Sequence, residues 1–454
     1  MKLVYGVNDK PKFGQLIIFA IQQLLAIMTA TLVVPVIING SCGTTMSSAA
    51  ALFGAGIGTL VYIAFTQKKS PVFLGSSFAF IGSMMAAFAG GTSMSLGFLG
   101  LIIGAIFAGL VYVVIAIIVK FAGVSWINKV MPAVVIGPTV AIIGLSLAGN
   151  AIGDMSKGSI EGIATSPLIT VLCGLITLII TIVCSTYGKK TLKLIPFIIG
   201  ILGGYVASAI FTAIGYAANI DALKILNVAP FMALVENGIN INTFLSVPDF
   251  TFLTAFKGIG ELNAAYISTI AVAYIPVAFV VFAEHIADHK NISSIIEKDL
   301  LEEPGLHRTL LGDGIGSIVG AFFGGCPNTT YGESVGCVAI TRNASVLTIM
   351  TAAILAILIS FISPFIAFVN SIPSCVMGGV CMALYGFIAV SGLKMVQKVN
   401  LNLNKNLFVV SVILIAGIGG LTLNFGKITI TSIACALILG IITNVILSKA
   451  KDEE

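Results

Sequence analysis

Glu284 and Asp288 stand four residues apart at the end of an apolar run, 264–282, that contains no charge. Four residues is close to one helical turn, so both carboxylates fall on one face. A third carboxylate, Glu333, lies in the segment CPNTTYGESVG, 326–336. Each ionised group at membrane depth costs several kcal/mol, about 3 on insertion scales, and such groups mark sites of binding or proton transfer. Carboxylates accept hydrogen bonds from ligand N–H groups. Two of them side by side in apolar surroundings repel, which favours proton uptake and suits coupling to a proton. Asp313 is the fourth acid in an apolar segment. It either joins the coupling group or caps the helix it begins.

Other polar residues accompany these four. Gln22 and Gln23 interrupt the first apolar run, and Ser334 follows Glu333. His285 and His289 flank the acidic pair, and we assign both a structural role because His285 points away from the Glu284 face. A metal site from His285, Asp288 and His289 is weakly supported by the spacing, and no metal is expected. Phe78 and Tyr331, next to short Gly-rich stretches, could offer a flat apolar slot. A small planar ring with alternating N–H and C=O groups fits this inventory, and the fold must supply backbone N–H donors for its carbonyls.

The elements that position these residues are membrane helices. The chain has 454 residues, 58% hydrophobic and 9% charged, with mean hydropathy +1.10. Soluble domains carry about 25% charge. Long apolar runs rather than period-two alternation indicate helices, not a barrel. The polar start MKLVYGVNDKPKFGQ lacks a cleavable-signal pattern, so the first span is expected to remain. The eight cysteines form no CxxC pair and read as small packing residues. No nucleophile elbow, phosphate loop or metal cluster is present, so no enzyme activity, cofactor or nucleic-acid partner is expected. The net charge of +5 reflects topology.

With about 20 apolar residues per span, fourteen spans are expected: 14–38, 47–66, 76–91, 96–119, 130–150, 166–187, 194–217, 262–287, 310–325, 331–344, 346–368, 373–393, 406–424 and 428–448. With both termini cytoplasmic, only Lys157, Lys224, Lys257 and Lys427 of the 23 Lys and Arg fall outside. That asymmetry obeys the positive-inside rule. The long outside segment 218–261 splits the spans seven and seven. An odd number per half inverts the second half, as in secondary transporters built from inverted repeats. The short spans 76–91 and 331–344 stand third in each half. Each places an extended stretch before a short helix, PVFLGSSFAFIG at 71–82 and CPNTTYGESVG at 326–336. Extended backbone at that depth must be paired or line a cavity. Pairing the two as antiparallel strands satisfies both and aims two helix N-termini, with their free N–H groups, at one point.

The motifs resemble those of the nucleobase–ascorbate transporter family, also called nucleobase:cation symporter 2. The family signature is matched by Glu333-Ser334-Val335-Gly336 and Thr341-Arg342, with Ser334 where the family has Asn. Further shared runs are LGSSFAFI (74–81), AEH (283–285), EPGLHR (303–308), PNTTYGE (327–333), AITR (339–342) and VMGGV (376–380). The resemblance spans nearly the whole chain and is strongest to the bacterial uracil-transporting branch. It implies an all-α fold with core parts at 1–125 and 261–371 and gate parts at 126–260 and 372–454. It also implies proton-coupled, elevator-like import of a nucleobase by a homodimer in the bacterial cytoplasmic membrane. On matching positions, Glu284 and Glu333 would accept the base N–H groups, and the amides of Phe78 and Gly332 would meet its carbonyls. Asp288 stands at a proton-linked position, Asp313 at an acidic position of the purine branch, and Gln23 where many members have His. Glu333 and the preceding TTYG favour uracil, with xanthine or another purine as the alternative. An anion carrier of related fold is disfavoured by three carboxylates without a basic partner. Carboxylates and backbone carbonyls would also suit sodium as the coupling ion.

Overall fold

A computed structural model describes residues 3–123, 131–160, 163–189, 191–236, 238–425 and 428–448. Lys2, Lys129, Lys190, Lys427, Lys449 and Lys451 of the charge pattern lie outside the described residues.

The apolar runs fold as helices, each matching one of the expected spans. They are α1 (Phe13–Cys42), α2 (Ser48–Phe65), α3 (Phe78–Gly90, opening on a 3-10 turn), α4 (Met94–Ala122), α5 (Ala133–Met155), α6 (Pro167–Tyr187) and α7 (Pro196–Ala218). The second half gives α8 (Ala264–Ile296), α9 (Leu306–Gly324), α10 (Gly332–Thr341), α11 (Val346–Ile359), α12 (Ser374–Val396), α13 (Asn404–Ile418) and α14 (Ser432–Leu447). Among the described residues, α1, α2, α4, α5, α6, α7, α8 and α12 are long and apolar enough to cross a membrane. Some helix starts carry the side-chain caps that their sequences offer. Ser47, Ser93 and Asn263 accept from the backbone N–H of Ala50, Leu96 and Tyr266 at the starts of α2, α4 and α8.

The two extended stretches pair as expected. Strand β1 (Leu74–Ser76) runs antiparallel to β2 (Asn328–Thr330), with Leu74 opposite Thr330 and Ser76 opposite Asn328. Gly75 is required there, because a Cβ would enter the ring of Tyr331. Small residues bring the neighbouring helices close. Gly54 and Gly58 of α2 face Gly320 and Gly316 of α9, and Gly109 of α4 faces Gly314.

Helices α1–α4 pack with α8–α11, whereas α5–α7 pack with α12–α14. Between the groups, α8 touches α5 and α14, and α1 touches α7 and α12.

The structure departs from the sequence expectation in several places. Helix α8 runs two turns past 287, through the polar segment HKNISSII, to Ile296. The span expected at 346–368 is two helices, because α11 ends at Ile359 and Ser363–Ser371 restarts with Pro at its first turn. The span expected at 406–424 ends at Ile418, and a β-hairpin follows, pairing Leu423–Phe425 (β3) with Ile428–Ile430 (β4). Asp313 does not cap a helix: α9 starts at Leu306, which places Asp313 two turns inside it.

Candidate functional site

The antiparallel strand pair determines where the acids fall. Tyr331 follows β2 and precedes α10, so Glu333 stands in the first turn of α10. An acid there faces the positive end of the helix. Helix α8 supplies Glu284 and Asp288 from one face. A cavity of about 400 Å³ is lined by Glu284, Asp288, Asn291, Gly332 and Glu333, with Ala26, Val140, Phe197 and Ile388 among its apolar walls. The three carboxylates that the sequence singled out therefore share one cavity, two from α8 and one from α10. Ser185, Lys193, Ser391 and Met395 also line it, near the ends of α6 and α12 and the start of α7. Lys193 joins a site that sequence reasoning assigned only to topology.

Asp288 is buried, and its Oδ2 accepts from Thr330 Oγ1 of β2 (2.9 Å). That bond ties α8 to the strand pair, and Gly332 presents its backbone beside Asp288 Oδ1. Glu284 and Glu333 are half-buried. Asp313 is fully buried behind α8, away from the cavity, with its Oδ2 2.7 Å from His285 Nδ1.

The remaining candidates hold the frame. Gln23 Nε2 donates to Ser334 Oγ, which also accepts from the Phe73 N–H (3.0 Å). Both are buried and tie α1 and α10 to the residue before β1. Gln22 is half-buried on α1 and is not among the cavity residues. Tyr331 lies over Gly75 and donates through its hydroxyl to Ser76 O (2.8 Å). Phe78 is buried with its ring edge-on to Tyr385, centroids 5.8 Å apart. Neither aromatic lines the cavity. His285 and His289 are fully buried on the rear of α8, with ring centroids 4.0 Å apart. His289 Nε2 meets the Tyr62 hydroxyl of α2 (2.7 Å). Among the described residues, no group of three or more His, Cys, Asp or Glu could hold a metal ion.

Sequence reasoning missed Asn291, Ser185 and Ser391. Asn291 follows Glu284 by seven residues, two helical turns, and that spacing could have revealed it. No sequence signal marked the two serines.

Comparison with known proteins agrees with this architecture. A model of a permease family, that of xanthine and uracil permeases, matches residues 14–425. The chain is 36% identical to the uracil permease of Bacillus subtilis (strain 168), covering 100% of this chain and 97% of the relative. It is 37% identical to the uracil permease of Escherichia coli (strain K12), covering 96% of this chain and 92% of the relative. In structure it is similar to the transmembrane domain of the cyanobacterial bicarbonate transporter BicA, with TM-score 0.60 at 14% identity, covering 97% of this chain and all of that one. The last likeness shows a shared fold. With the paired strands, the broken third and tenth helices and full-length relatives at this identity, the chain belongs to the nucleobase–ascorbate transporter family of multi-pass membrane permeases.

Proposed function

We propose that the protein imports a nucleobase, uracil, by proton symport across the bacterial cytoplasmic membrane. One observation carries the reading: Glu284 of α8 and Glu333 of α10 line a single cavity with Asp288. Glu284 and Glu333 accept the two ring N–H groups of uracil. The backbone N–H groups at the starts of α3 and α10, at Phe78 and Gly332, serve its carbonyls, with Phe78 and Tyr331 closing around the ring once substrate is bound. At about 400 Å³ the cavity lies within the roughly 300–1,000 Å³ typical of small-molecule sites. Asp288 carries the coupling proton, assisted by Glu284 and, from behind α8, by Asp313. Sodium is the alternative coupling ion. The names of the relatives support uracil, and xanthine is the competing substrate.

The helix groups described above support a core, 1–125 and 261–371, that moves against a gate, 126–260 and 372–454. The two halves are inverted repeats, both termini are cytoplasmic, and the transporter is a homodimer embedded in lipid. Ser185, Lys193 and Met395 line the cavity near basic segments assigned to the cytoplasm, which supports an inward-facing arrangement.

Uptake of radiolabelled uracil by cells expressing the protein tests the reading, with a proton uncoupler and excess unlabelled xanthine as parallel treatments. Saturable uptake abolished by the uncoupler and untouched by xanthine is expected. Transport of xanthine but not uracil would overturn the substrate assignment. Uptake that follows a sodium gradient would overturn the proton.

A further inference from the structure

Helix α8 has two polar faces. The front carries Glu284, Asp288 and Asn291 into the cavity. The rear carries His285 and His289, both fully buried. Neither histidine touches the cavity, yet each is bonded to another helix. His285 lies between two residues of α9, with Nδ1 2.7 Å from Asp313 Oδ2 and Nε2 3.0 Å from Thr309 Oγ1. Both α8 and α9 pack on α4, and the His285 bonds span from one to the other.

Counting protons makes this clamp specific. The Thr309 hydroxyl donates to Leu306 O (3.1 Å), so it accepts from His285 Nε2, which carries a hydrogen. One further proton lies on the contact between His285 Nδ1 and Asp313 Oδ2. His289 Nδ1 faces the carbonyl of His285 (2.7 Å), which can only accept. Its Nε2 meets the Tyr62 hydroxyl, whose oxygen lies 2.7 Å from Ser70 Oγ. Every ring nitrogen on the rear face thus has an assigned partner. A helix held this way resists rotation about its axis, and Glu284 is the residue directly before His285.

We propose that His285 is a positioning residue: clamped between Asp313 and Thr309, it sets the rotation of α8 and hence the direction in which Glu284 and Asp288 enter the cavity. The inference rests on the substrate-site reading above for its effect on transport, and on geometry alone for the clamp.

Two substitutions test it. The amide of His285→Asn takes the place of Nδ1 and keeps the link to Asp313, whereas His285→Phe fills the space without polar atoms. The readouts are the KM and maximal rate of uracil uptake at matched membrane levels, and the maleimide labelling rate of Ala287→Cys in the purified protein. Ala287 lines the cavity between the two acids, and the same protein without this substitution supplies the background. Losing two buried hydrogen bonds is worth about tenfold in binding, so His285→Phe is expected to raise KM by about that factor while the maximal rate changes little. It also shifts the labelling rate at position 287, and His285→Asn restores both readouts. Unchanged KM and labelling in His285→Phe, or equal losses in both variants, would overturn the proposal. If His285→Phe does not reach the membrane, Thr309→Val against Thr309→Ser decides: only the valine variant should shift the two readouts, and equal behaviour overturns the clamp. Labelling needs no substrate. Wild-type protein that fails to carry uracil therefore counts against the transport reading, and position 287 still decides the clamp.

Discussion

A carboxylate at membrane depth persists only where its charge is used or compensated, and the four acids here divide on that basis. Glu284, Asp288 and Glu333 line the cavity, and Asp313 is held by His285 behind it. Replacing Glu284 or Glu333 by Gln removes an ionic acceptor but keeps the side-chain shape. Uracil uptake is expected to fall by about ten- to hundredfold or more for each, since hydrogen bonds to charged groups contribute about 1.5–3 kcal/mol. Membrane levels on immunoblots should stay unchanged, and normal uptake in either variant would remove that residue from the site. Asp288→Asn retains an oxygen for Thr330 but cannot carry a proton. Exchange of labelled for unlabelled uracil should survive in that variant, while uncoupler-sensitive accumulation disappears. Accumulation at the wild-type level would shift coupling away from Asp288. These three acids were legible in the sequence because charge in an apolar run is conspicuous. The partners of Asp313 were not, because sequence spacing cannot show that His285 reaches across to α9.

Elements were more legible than contacts. Most of the apolar runs became single helices, and the pairing of β1 with β2 follows from the need to satisfy extended backbone at depth. The hairpin of β3 and β4 escaped notice because its strands are three residues each and continue an apolar run, so hydropathy did not separate them from helix. Gly75 is where the strand pair is most sensitive. A methyl group there meets the Tyr331 ring, so Gly75→Ala is expected to cost about 1–3 kcal/mol by overpacking. A thermal melt in detergent should show the loss, and an unchanged melting temperature would mean that the ring moves aside freely. At the other end of α3, Glu261 accepts from Thr92 Oγ1 (2.6 Å) and Ser93 Oγ (2.7 Å), the latter being the cap of α4. Those bonds hold the Glu261 carboxyl below its ordinary value of 4.5. A depressed value means that the tether is complete above pH 4.5 and weakens progressively below it. The protection factors for hydrogen exchange at residues 91–96, taken relative to the intrinsic rate at each pH, should therefore fall on acidification, and Glu261→Gln should remove that pH dependence.

For the molecule as a whole, the cavity reaches Ser185 and Ser391 near the ends of α6 and α12, and that makes the proposed direction of access testable. For the inward-facing arrangement proposed above, a membrane-impermeant maleimide should label Ser391→Cys in inside-out vesicles and not in intact cells, and uracil should slow the labelling. Labelling from the cell exterior alone would reverse the orientation. The pairing of β1 with β2 also bears on how the protein is made. Ser76 meets Asn328 some 250 residues further along the chain. At about 5–20 residues per second, the ribosome needs roughly 10–50 s to deliver the second strand after the first. Throughout that interval the polar backbone of β1 lacks its permanent partner, and hydrocarbon cannot supply one. The first half must therefore wait beside water or within the insertion machinery, and Glu333 can join Glu284 and Asp288 only when translation is nearly three-quarters complete.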